Sequence, residues 1–258
     1  MVLNVLNYIA NFGHASYQKG DVLTKSGQVD GNIALKTEQL TKIFDSLAGR
    51  VVALRDVNFT VKRGEFVSIM GPSGSGKSTL LNIIGALDRP TSGKVYINGY
   101  DIFSLGDSEI ATMRNRLIGF IFQSYNLVNR TTVQTNVKLP AIIAGMSPTE
   151  ANFRAMKILE ALGIADKAKQ KPANLSGGQQ QRVAIARCLI NNPAIILADE
   201  PTGNLDTKTG ADIFHMLKEL STKFHRTIIM VTHNPELAES TDRTVLIKDG
   251  TIEKEIIN

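Results

Sequence analysis

Hydrophobic and polar positions follow two alternating spacings along most of the chain, and these predict strands and helices in turn. Short apolar runs, typical of strands buried in a parallel sheet, are "EFVSIM", "IGFIFQ", "PAIILADE" and "RTIIMVTH". Apolar residues at helical spacing occur in "STLLNIIGAL", up to Asp88, and in "TGADIFHMLKELSTKF". Strands that alternate with helices in this way favour an α/β fold with a mostly parallel sheet.

Two other patterns add a different kind of strand and a block of helix. Apolar residues alternate with polar ones from 34 to 62, and "TVLIKDGTIEKEI" at the end predicts a hairpin with an Asp-Gly turn. "SPTEANFRAMKILEALGI" has helical periodicity, with Ser147 or Thr149 as its predicted N-cap. Residues from about 124 to 175 are therefore expected to form a helical subdomain inserted into the α/β core.

The first 33 residues have a pattern of their own. Their apolar side chains, which would line one face of a short helix, are Val2, Leu3, Val5, Leu6, Ile9 and Phe12. Asparagines interrupt them and no basic segment precedes them, which is not typical of a signal peptide. The following "GQVDGN" is typical of a linker. We therefore expect residues 1–33 to be a mobile or loosely docked extension, and residues 34–258 to form the folded domain.

Composition and charge narrow the class of protein. With 21% charged and 43% hydrophobic residues among 258, the chain has the ordinary composition of a globular protein. Its formal charge of +5 comes from scattered Lys and Arg, so nucleic acid is not an expected partner. Cys188 is the only cysteine, which excludes an intrachain disulfide and fits a reducing cytosol. The longest apolar runs are far shorter than the roughly 20 residues of a membrane-spanning helix.

A glycine-rich segment, "GPSGSGKS" at Gly71–Ser78, fits the pattern G-x-x-x-x-G-K-[ST] between a predicted buried strand and a predicted helix. In such a loop, glycines let successive backbone N–H groups face an anion, and the helix N-terminus adds a favourable dipole. Lys77 is expected to reach the β- and γ-phosphates of a nucleotide, and the Ser78 hydroxyl to bind Mg²⁺. The predicted nucleotide-binding residues are Gly71, Ser73, Gly74, Ser75, Gly76, Lys77, Ser78 and Thr79.

A pair of acidic residues ends the apolar run "AIILADE". A carboxylate at the end of a buried strand is suited to hold Mg²⁺, and Asp199 has that place. Glu200 follows where the chain leaves the pleat, so its carboxylate can turn toward the γ-phosphate. A carboxylate there would align or deprotonate the attacking water, which is typically worth ~10²–10⁴-fold in rate. Asp199 and Glu200 are thus predicted metal-binding and catalytic residues. They narrow the choice among kinases, GTPases and ATPases, which the glycine-rich loop alone leaves open.

A second Ser-Gly-Gly turn, in "NLSGGQQQRVAIARCLI", opens a later helix and also has the chemistry of an anion site. The phosphates of this chain's own nucleotide are already assigned to residues 71–79, so the turn suggests a ligand held by another chain. Together with the phosphate loop and "ILADEPTGNLD", the turn resembles the nucleotide-binding subunit of ATP-binding cassette (ABC) transporters over about residues 34–253. An ordinary P-loop kinase has no use for such a turn.

This resemblance implies the P-loop NTPase fold of ABC ATPases, with a mostly parallel core, an antiparallel β subdomain and an inserted α-helical subdomain. It also implies that two copies pack head to tail around two ATP molecules with Mg²⁺. In that homodimer, Ser176, Gly177 and Gly178 of one copy close over the γ-phosphate bound by the other. Gln179 completes the matched turn, and Asp206 resembles an aspartate that communicates across the dimer.

Three further residues resemble the family's catalytic and base-binding positions. Gln123 resembles the glutamine that contacts Mg²⁺ and the attacking water and links to the helical subdomain. His233 resembles the switch histidine that contacts the γ-phosphate and positions Glu200. Phe44 takes the place of the aromatic residue that stacks on adenine, where Tyr is usual.

Within the family, the phosphate-loop region and "SYNLVNRTTVQTNVKLPAIIAGM" look like the subgroup that energises lipoprotein-release and macrolide-export permeases. The expected function is therefore that of an ATP-hydrolysing motor subunit. It would drive a separate membrane permease from the cytoplasmic face of the cell membrane, with residues 125–140 lining the groove that holds a permease helix. An ABC ATPase of a soluble machine for translation or DNA repair is the alternative. A single cassette without a long coiled-coil insertion does not favour that alternative.

Overall fold

The structure is a computed structural model that describes residues 30–46 and 49–258. The expected mobile extension, residues 1–33, lies outside the described residues as far as position 29. Ile33 already pairs with Lys62, one residue before the expected start of the domain at 34. The described chain therefore enters the fold directly through a strand.

A four-stranded antiparallel sheet lies on one side of the molecule. Its strands are β1 (Ile33–Ser46), β2 (Gly49–Lys62), β4 (Ser92–Ile97) and β5 (Tyr100–Asp101). They lie in the order β2-β1-β4-β5, with antiparallel neighbours throughout. Val57, Phe59 and Val61 alternate with more exposed residues along β2, which gives this sheet one face toward the core.

A six-stranded sheet forms the centre of the fold. Its strands are β3 (Phe66–Met70), β6 (Ile118–Phe122), β7 (Ile195–Asp199), β8 (Thr227–Val231), β9 (Arg243–Lys248) and β10 (Thr251–Ile257). The order is β10-β9-β3-β8-β7-β6, and every pair is parallel except β9 with β10. The mostly parallel core and the terminal hairpin are thus confirmed.

Helices cover both faces of the central sheet. Those described are α1 (Lys77–Ile84), α2 (Asp107–Leu117), α3 (Val133–Ile143), α4 (Pro148–Ala161), α5 (Gly177–Leu189), α6 (Thr207–Phe224) and α7 (Pro235–Glu239). Short 3₁₀ turns occur at Ile102–Ser104, Ala165–Lys167 and Pro172–Asn174. Within the described residues, no helix combines the length and the apolar character needed to cross a membrane.

Two helix ends test the sequence predictions. The hydroxyl of Ser147 accepts a hydrogen bond from the N–H of Glu150 at 3.3 Å, which confirms one of the two predicted caps of α4. The prediction that α1 extends to Asp88 is wrong, because α1 ends at Ile84 with Gly85 as its C-cap. A Cβ at Gly85 would lie 2.4 Å from the ring of Phe120, so close packing against β6 requires a glycine there.

Two hydrophobic clusters lie on opposite faces of the central sheet. Phe66 and Ile196 belong to the cluster beneath α3 to α6, whereas Val67 and Leu197 belong to the cluster beneath α1 and the antiparallel sheet. Both faces are buried, which explains the unbroken apolar runs. The carboxyl ends of β3, β6, β7 and β8 meet at one edge of the sheet. The segments that follow these ends contain residues 71–76, Gln123, Glu200 and His233, respectively.

Candidate functional site

The loop between β3 and α1 is packed closely against β2 and β9 on one side. Its other side, which we call its front, is open. A Cβ at Gly71 would lie 2.0 Å from the carbonyl oxygen of Ile247, and one at Gly76 would lie 2.4 Å from that of Ala53. Only glycine fits at both places. A Cβ at Gly74, by contrast, would meet no heavy atom of the described chain within 4 Å. The front of the loop therefore has room for a ligand.

Lys77 is the cation at the centre of this loop. Its side chain is buried, and its Nζ donates to the carbonyl oxygens of Gly71 at 2.9 Å and Pro72 at 2.7 Å. Burial lowers the pKa of Lys77, and the negative charges of Glu200 and Asp199 oppose this effect. The ammonium group and the two carboxylates therefore share one electrostatic environment.

The N-terminus of α1 has the features of an anion site. Gly76 is its N-cap, and in the described chain no side chain caps it and no acidic residue lies in its first turn. Ser78 is exposed and Thr79 half-buried in that turn, and the Ser75 hydroxyl oxygen is buried without a hydrogen-bond partner among the described residues. Free N–H groups, a positive helix end and Lys77 together fit the phosphates of a nucleotide.

Two carboxylates follow from the end of β7. Asp199 is half-buried, and burial raises its pKa, as does the adjacent Glu200, while Lys77 and His233 act in the opposite direction. Glu200 has a φ of 45°, and its N–H donates to the carbonyl oxygen of Val231 at 3.0 Å. The chain therefore leaves the pleat at Glu200, as its sequence position predicts, and the Glu200 side chain is freed from the strand alternation.

Three predicted catalytic side chains converge beside this turn. His233 Nε2 lies 2.7 Å from Glu200 Oε1. A Cβ at Gly203 would lie 2.7 Å from Gln123 Nε2 and 3.3 Å from Glu200 Oε2, so both side chains pass close over Gly203. The absence of a side chain at position 203 is what allows Gln123 and Glu200 to approach each other.

Gln123 is held by a residue that the sequence analysis did not select. Its Nε2 donates to Asn204 Oδ1 at 3.3 Å, and Asn204 Nδ2 donates back to the Gln123 carbonyl oxygen at 2.9 Å. The two residues are far apart in sequence, so no local motif indicates the pair. The only sequence signal is their place after two adjacent parallel strands.

The second Ser-Gly-Gly turn opens α5 with a reciprocal cap. Ser176 N–H donates to Gln179 Oε1 at 3.0 Å, and Gln179 N–H donates to Ser176 Oγ at 3.4 Å. A Cβ at Gly177 would lie 2.8 Å from Tyr125 Oη, and one at Gly178 would lie 2.3 Å from Thr209 Cγ2. These neighbours lie outside residues 71–79, so within one copy the turn and the phosphate loop are separate features.

Asp206 has a structural partner of its own. Its carboxylate accepts a hydrogen bond from the N–H of Thr209 at 3.0 Å and caps α6. The hydrogen bonds to Thr209 lower the pKa of Asp206. The predicted cross-dimer aspartate therefore also fixes the start of the helix that packs against Gly178.

Phe44 lies on β1 with 43% of its surface exposed. Lys42 Nζ lies 4.8 Å from the centroid of the Phe44 ring and also pairs with Asp88 at 2.8 Å and with the Arg89 carbonyl oxygen at 2.8 Å. An exposed ring supported by a fixed cation is suited to stack on a base.

A mostly apolar groove of about 420 Å³ lies between α2, α3, α5 and β6. The lining residues from the predicted segment 125–140 are Asn126, Leu139 and Pro140, and those from other segments include Leu87, Arg114, Ile143, Arg187 and Cys188.

Burial raises the pKa of Cys188 to about 12, so this thiol stays protonated and unreactive. Arg187 donates to the carbonyl oxygens of Tyr125, at 2.8 Å, and Asn126, which fixes the chain just after Gln123.

Comparisons with known proteins identify a family and relatives of this chain. The ABC transporter family model matches residues 54–203. The chain is 48% identical over 221 residues to the lipoprotein-releasing system ATP-binding protein LolD of Bacteroides thetaiotaomicron, which covers 86% of this chain and 100% of that protein. It is also 48% identical over 228 residues to the macrolide export ATP-binding/permease protein MacB of Bartonella henselae. That match covers 88% of this chain but only 34% of the longer MacB protein.

The fold is also similar to a solved structure. The ATP-binding cassette MJ0796 of Methanocaldococcus jannaschii aligns with a TM-score of 0.81 at 47% identity, which covers 86% of this chain and 98% of that one. Its structure is described as the dimeric, post-hydrolysis state bound to ADP and Pi.

Proposed function

The chain belongs to the ABC transporter family, and we propose that it uses the site described above as the ATP-hydrolysing motor of a membrane transporter. The observation that carries this proposal is the convergence of Glu200, His233 and Gln123 beside an open phosphate loop. The names of the relatives LolD and MacB also support a transporter motor rather than a soluble machine.

The nucleotide would be held by the loop and by the N-terminus of α1. Backbone N–H groups of residues 74–79 and the Lys77 ammonium would bind the phosphates, and Phe44 would stack on the adenine. Ser78, Asp199 and Gln123 offer the oxygen ligands that Mg²⁺ prefers. When bound, Mg²⁺ would neutralise charge on the β- and γ-phosphates.

Glu200 would activate the water that hydrolyses ATP. Its carboxylate would accept a proton from water as the water oxygen attacks the γ-phosphorus, and the bond to the β-phosphate oxygen would break to give ADP and phosphate. His233 holds one carboxylate oxygen of Glu200 through the 2.7 Å contact, which leaves Oε2 on the side of Gln123. Gln123 would orient the same water.

ATP would also hold two copies of the chain together. The N-terminus of α5 has no acidic residue in its first turn, so Ser176, Gly177, Gly178 and Gln179 are suited to receive the γ-phosphate bound by a second copy. Asp206 lies beside this turn through Thr209, which would place it at the same interface. The resulting assembly is a head-to-tail homodimer with two nucleotides between the copies.

The apolar groove would bind the membrane permease. Leu87, Leu139 and Ile143 in or beside it are 47%, 41% and 67% exposed, which is unusual for clustered aliphatic side chains. A short amphipathic helix of an integral membrane subunit fits this shape and polarity. The protein would then lie on the cytoplasmic face of the cell membrane through its permease.

The test is whether hydrolysis and ATP-driven dimerisation separate as expected. Glu200→Gln protein with ATP and Mg²⁺ should run as a dimer in size-exclusion chromatography with light scattering and should lose turnover. Lys77→Ala should stay monomeric, and Glu160→Gln, a surface change of the same kind, should behave as wild type. A monomeric Glu200→Gln protein at saturating ATP, or one with wild-type turnover, would contradict the proposal.

A further inference from the structure

One fully buried polar side chain of α5 has no role in the site described so far. Gln181 lies one turn after the Ser-Gly-Gly turn and is 0% exposed. Its Nε2 donates to the carbonyl oxygen of Pro201 at 2.6 Å. Its Oε1 is buried and has no hydrogen-bond partner in the part of the chain that the structure describes.

The two amide atoms of Gln181 have opposite effects on stability. The unpaired buried Oε1 costs free energy, and this offsets what the hydrogen bond from Nε2 contributes. Only the N–H of Gln181 is used, and it is used on a single backbone carbonyl, that of Pro201. The hydrogen bond to Pro201 is therefore the feature that distinguishes glutamine from an apolar residue here.

Pro201 is the residue that fixes the backbone directly after Glu200. The Glu200 N–H is held by Val231, and the Glu200 carbonyl oxygen accepts from the N–H of Gly203 at 3.0 Å. Pro201 is buried and its ring restricts φ, so a hydrogen bond to its carbonyl oxygen sets the peptide plane that follows Pro201, one residue after Glu200. A shift at this carbonyl would move the Glu200 carboxylate relative to His233.

The other end of the contact belongs to the turn proposed to meet the nucleotide of a second copy. Gln181 is on the same helix as Ser176 and Gly178, and a helix moves as a rigid element. Gly178 packs against Thr209, so the first turn of α5 also touches the segment that continues from Pro201 toward α6. A displacement of α5 is thus passed to both ends of the segment 201–209.

We infer that Gln181 is a positioning residue that ties α5 to the backbone carbonyl directly after Glu200 in the same copy. When the turn closes on the γ-phosphate of the second copy, the Gln181–Pro201 hydrogen bond holds Glu200 of its own site in the geometry needed to activate water. When the turn of one copy closes over the nucleotide of the second copy, the Glu200 carboxylate in the first copy's own site is thereby positioned. This inference rests on the proposed role of Glu200 and on the proposed homodimer.

The variant that tests it is Gln181→Met, which keeps the length and volume and removes the hydrogen bond. We expect thermal stability close to wild type. The variant removes the unpaired Oε1 of Gln181, but it leaves the Pro201 carbonyl oxygen without its donor. ATP affinity of the isolated protein should also stay close to wild type, and Gln181→Met in a Glu200→Gln background should still dimerise with ATP. Turnover at saturating ATP should fall about 10- to 100-fold, as expected for a misplaced catalytic group.

Two comparisons separate positioning from a loss of structure. Ser221→Ala removes another buried side-chain donor to a backbone carbonyl, that of Gly64, and should leave turnover close to wild type. Because Gln181 acts through Glu200, adding Gln181→Met to Glu200→Gln should not lower the residual turnover further. Multiplicative loss in that double variant would overturn the inference. So would wild-type turnover of Gln181→Met, or a loss of turnover that only follows a loss of stability or ATP binding.

If Gln181→Met does not fold, Gln181→Asn keeps the amide but is too short to reach Pro201, and the same outcomes apply to it. The Glu200→Gln single variant shows separately whether the proposed function fails. Wild-type turnover there would remove Glu200 as the general base, whatever Gln181→Met does. Loss of turnover in Glu200→Gln with normal turnover in Gln181→Met would overturn only the role of Gln181.

Discussion

His233 Nε2 lies 2.7 Å from Glu200 Oε1, and this contact joins the ends of two parallel strands across the candidate site. A carboxylate only accepts hydrogen bonds, so the contact requires that Nε2 carries a proton. The Glu200 side chain is 22% exposed and that of His233 is 53% exposed. The Glu200 carboxylate is therefore oriented by a partner that is more exposed to solvent than it is.

The first prediction concerns this contact. His233→Ala should lower turnover at saturating ATP by roughly 10²-fold or more, because Glu200 loses its orienting partner. The affinity for ATP should change little, since the proposed phosphate-binding groups are Lys77 and the loop. Steady-state ATPase assays and nucleotide titration measure the two quantities. His215→Ala, on an exposed position of α6, is the matched control, and equal activity of both variants would count against the role of His233.

The second prediction concerns the stability of the nucleotide-free protein as a function of pH. The folded-state pKa of Asp199 is raised above its ordinary value, first by burial and then by Glu200. A carboxyl with a raised folded-state pKa favours the folded state below its unfolded pKa, and this contribution is lost as pH rises through the folded pKa. Ionised Asp199 therefore destabilises the fold at neutral pH.

Asp199→Asn should accordingly raise the melting temperature at neutral pH, measured without nucleotide or Mg²⁺. The difference from wild type should shrink as pH falls toward the ordinary carboxyl pKa, because wild-type Asp199 then becomes neutral. Asp212→Asn, an exposed change of the same kind on α6, should show no such pH-dependent gain. A melting temperature of Asp199→Asn below that of wild type at neutral pH would contradict a raised pKa of Asp199 in the folded protein.

The chemistry of the site was largely predictable from the sequence because its motifs are local. The loop at 71–78 and the pair Asp199–Glu200 each follow directly from a buried strand, and strand ends of a parallel sheet meet at one edge. The helix α2 was not predicted, since only Ile110, Met113 and Leu117 of its 11 residues are buried. Such a sparse apolar stripe gives a weak helical signal.

Residues that act through distant contacts could not be predicted in this way. Asn204 and Gln123 meet across the edge of the sheet, and Gln181 reaches Pro201 from another helix. Each looks like an ordinary polar residue beside a motif. The groove was predicted from residues 125–140 alone, whereas α2 and α5 also line it. Only tertiary structure brings these segments together.

The third prediction concerns the reciprocal pair of Asn204 and Gln123. Asn204→Ala removes both hydrogen bonds. Asn204→Asp keeps an acceptor for Gln123 Nε2 but places a carboxylate oxygen against the Gln123 carbonyl oxygen, and the repulsion between these two oxygens displaces Gln123. Turnover should therefore fall in the order wild type, Asn204→Ala, Asn204→Asp, as Gln123 becomes less well placed. Steady-state ATPase assays at saturating ATP and Mg²⁺ measure this order. Wild-type turnover in Asn204→Asp would show that the pair does not position Gln123.

The fourth prediction concerns the contact between Gly178 and Thr209. Gly178→Ala places a Cβ 2.3 Å from Thr209 Cγ2, so α5 and α6 must move apart. Overpacking of this kind costs about 1–3 kcal/mol. Thr209→Ser removes the clashing methyl group and keeps the backbone N–H that Asp206 accepts from. The double variant Gly178→Ala with Thr209→Ser should recover much of the lost melting temperature.

Gly106→Ala is the control for this pair, because its Cβ would meet only the side chain of Glu109, at 3.4 Å. Thermal unfolding of wild type, Gly178→Ala, Thr209→Ser, the double variant and Gly106→Ala measures the effect. Equal losses of stability in Gly178→Ala with and without Thr209→Ser would show that the clash lies elsewhere.

The fifth prediction concerns the groove between α2, α3 and α5. Ile143 is 67% exposed and lines the groove, whereas Ile257 is 86% exposed at the end of β10 and lies outside it. Placing a charge at Ile143 should prevent the apolar face of an amphipathic helix from binding, because the charge could not be buried without a partner. Tagged protein carrying Glu200→Gln, loaded with ATP, should recover a multi-span permease from native detergent-solubilised membranes. The double variant Glu200→Gln with Ile143→Asp should recover no permease, whereas the double variant Glu200→Gln with Ile257→Asp should recover as much as the parent. Melting temperatures of both variants must match the parent for the comparison to count, and equal permease recovery by both would place the docking surface elsewhere.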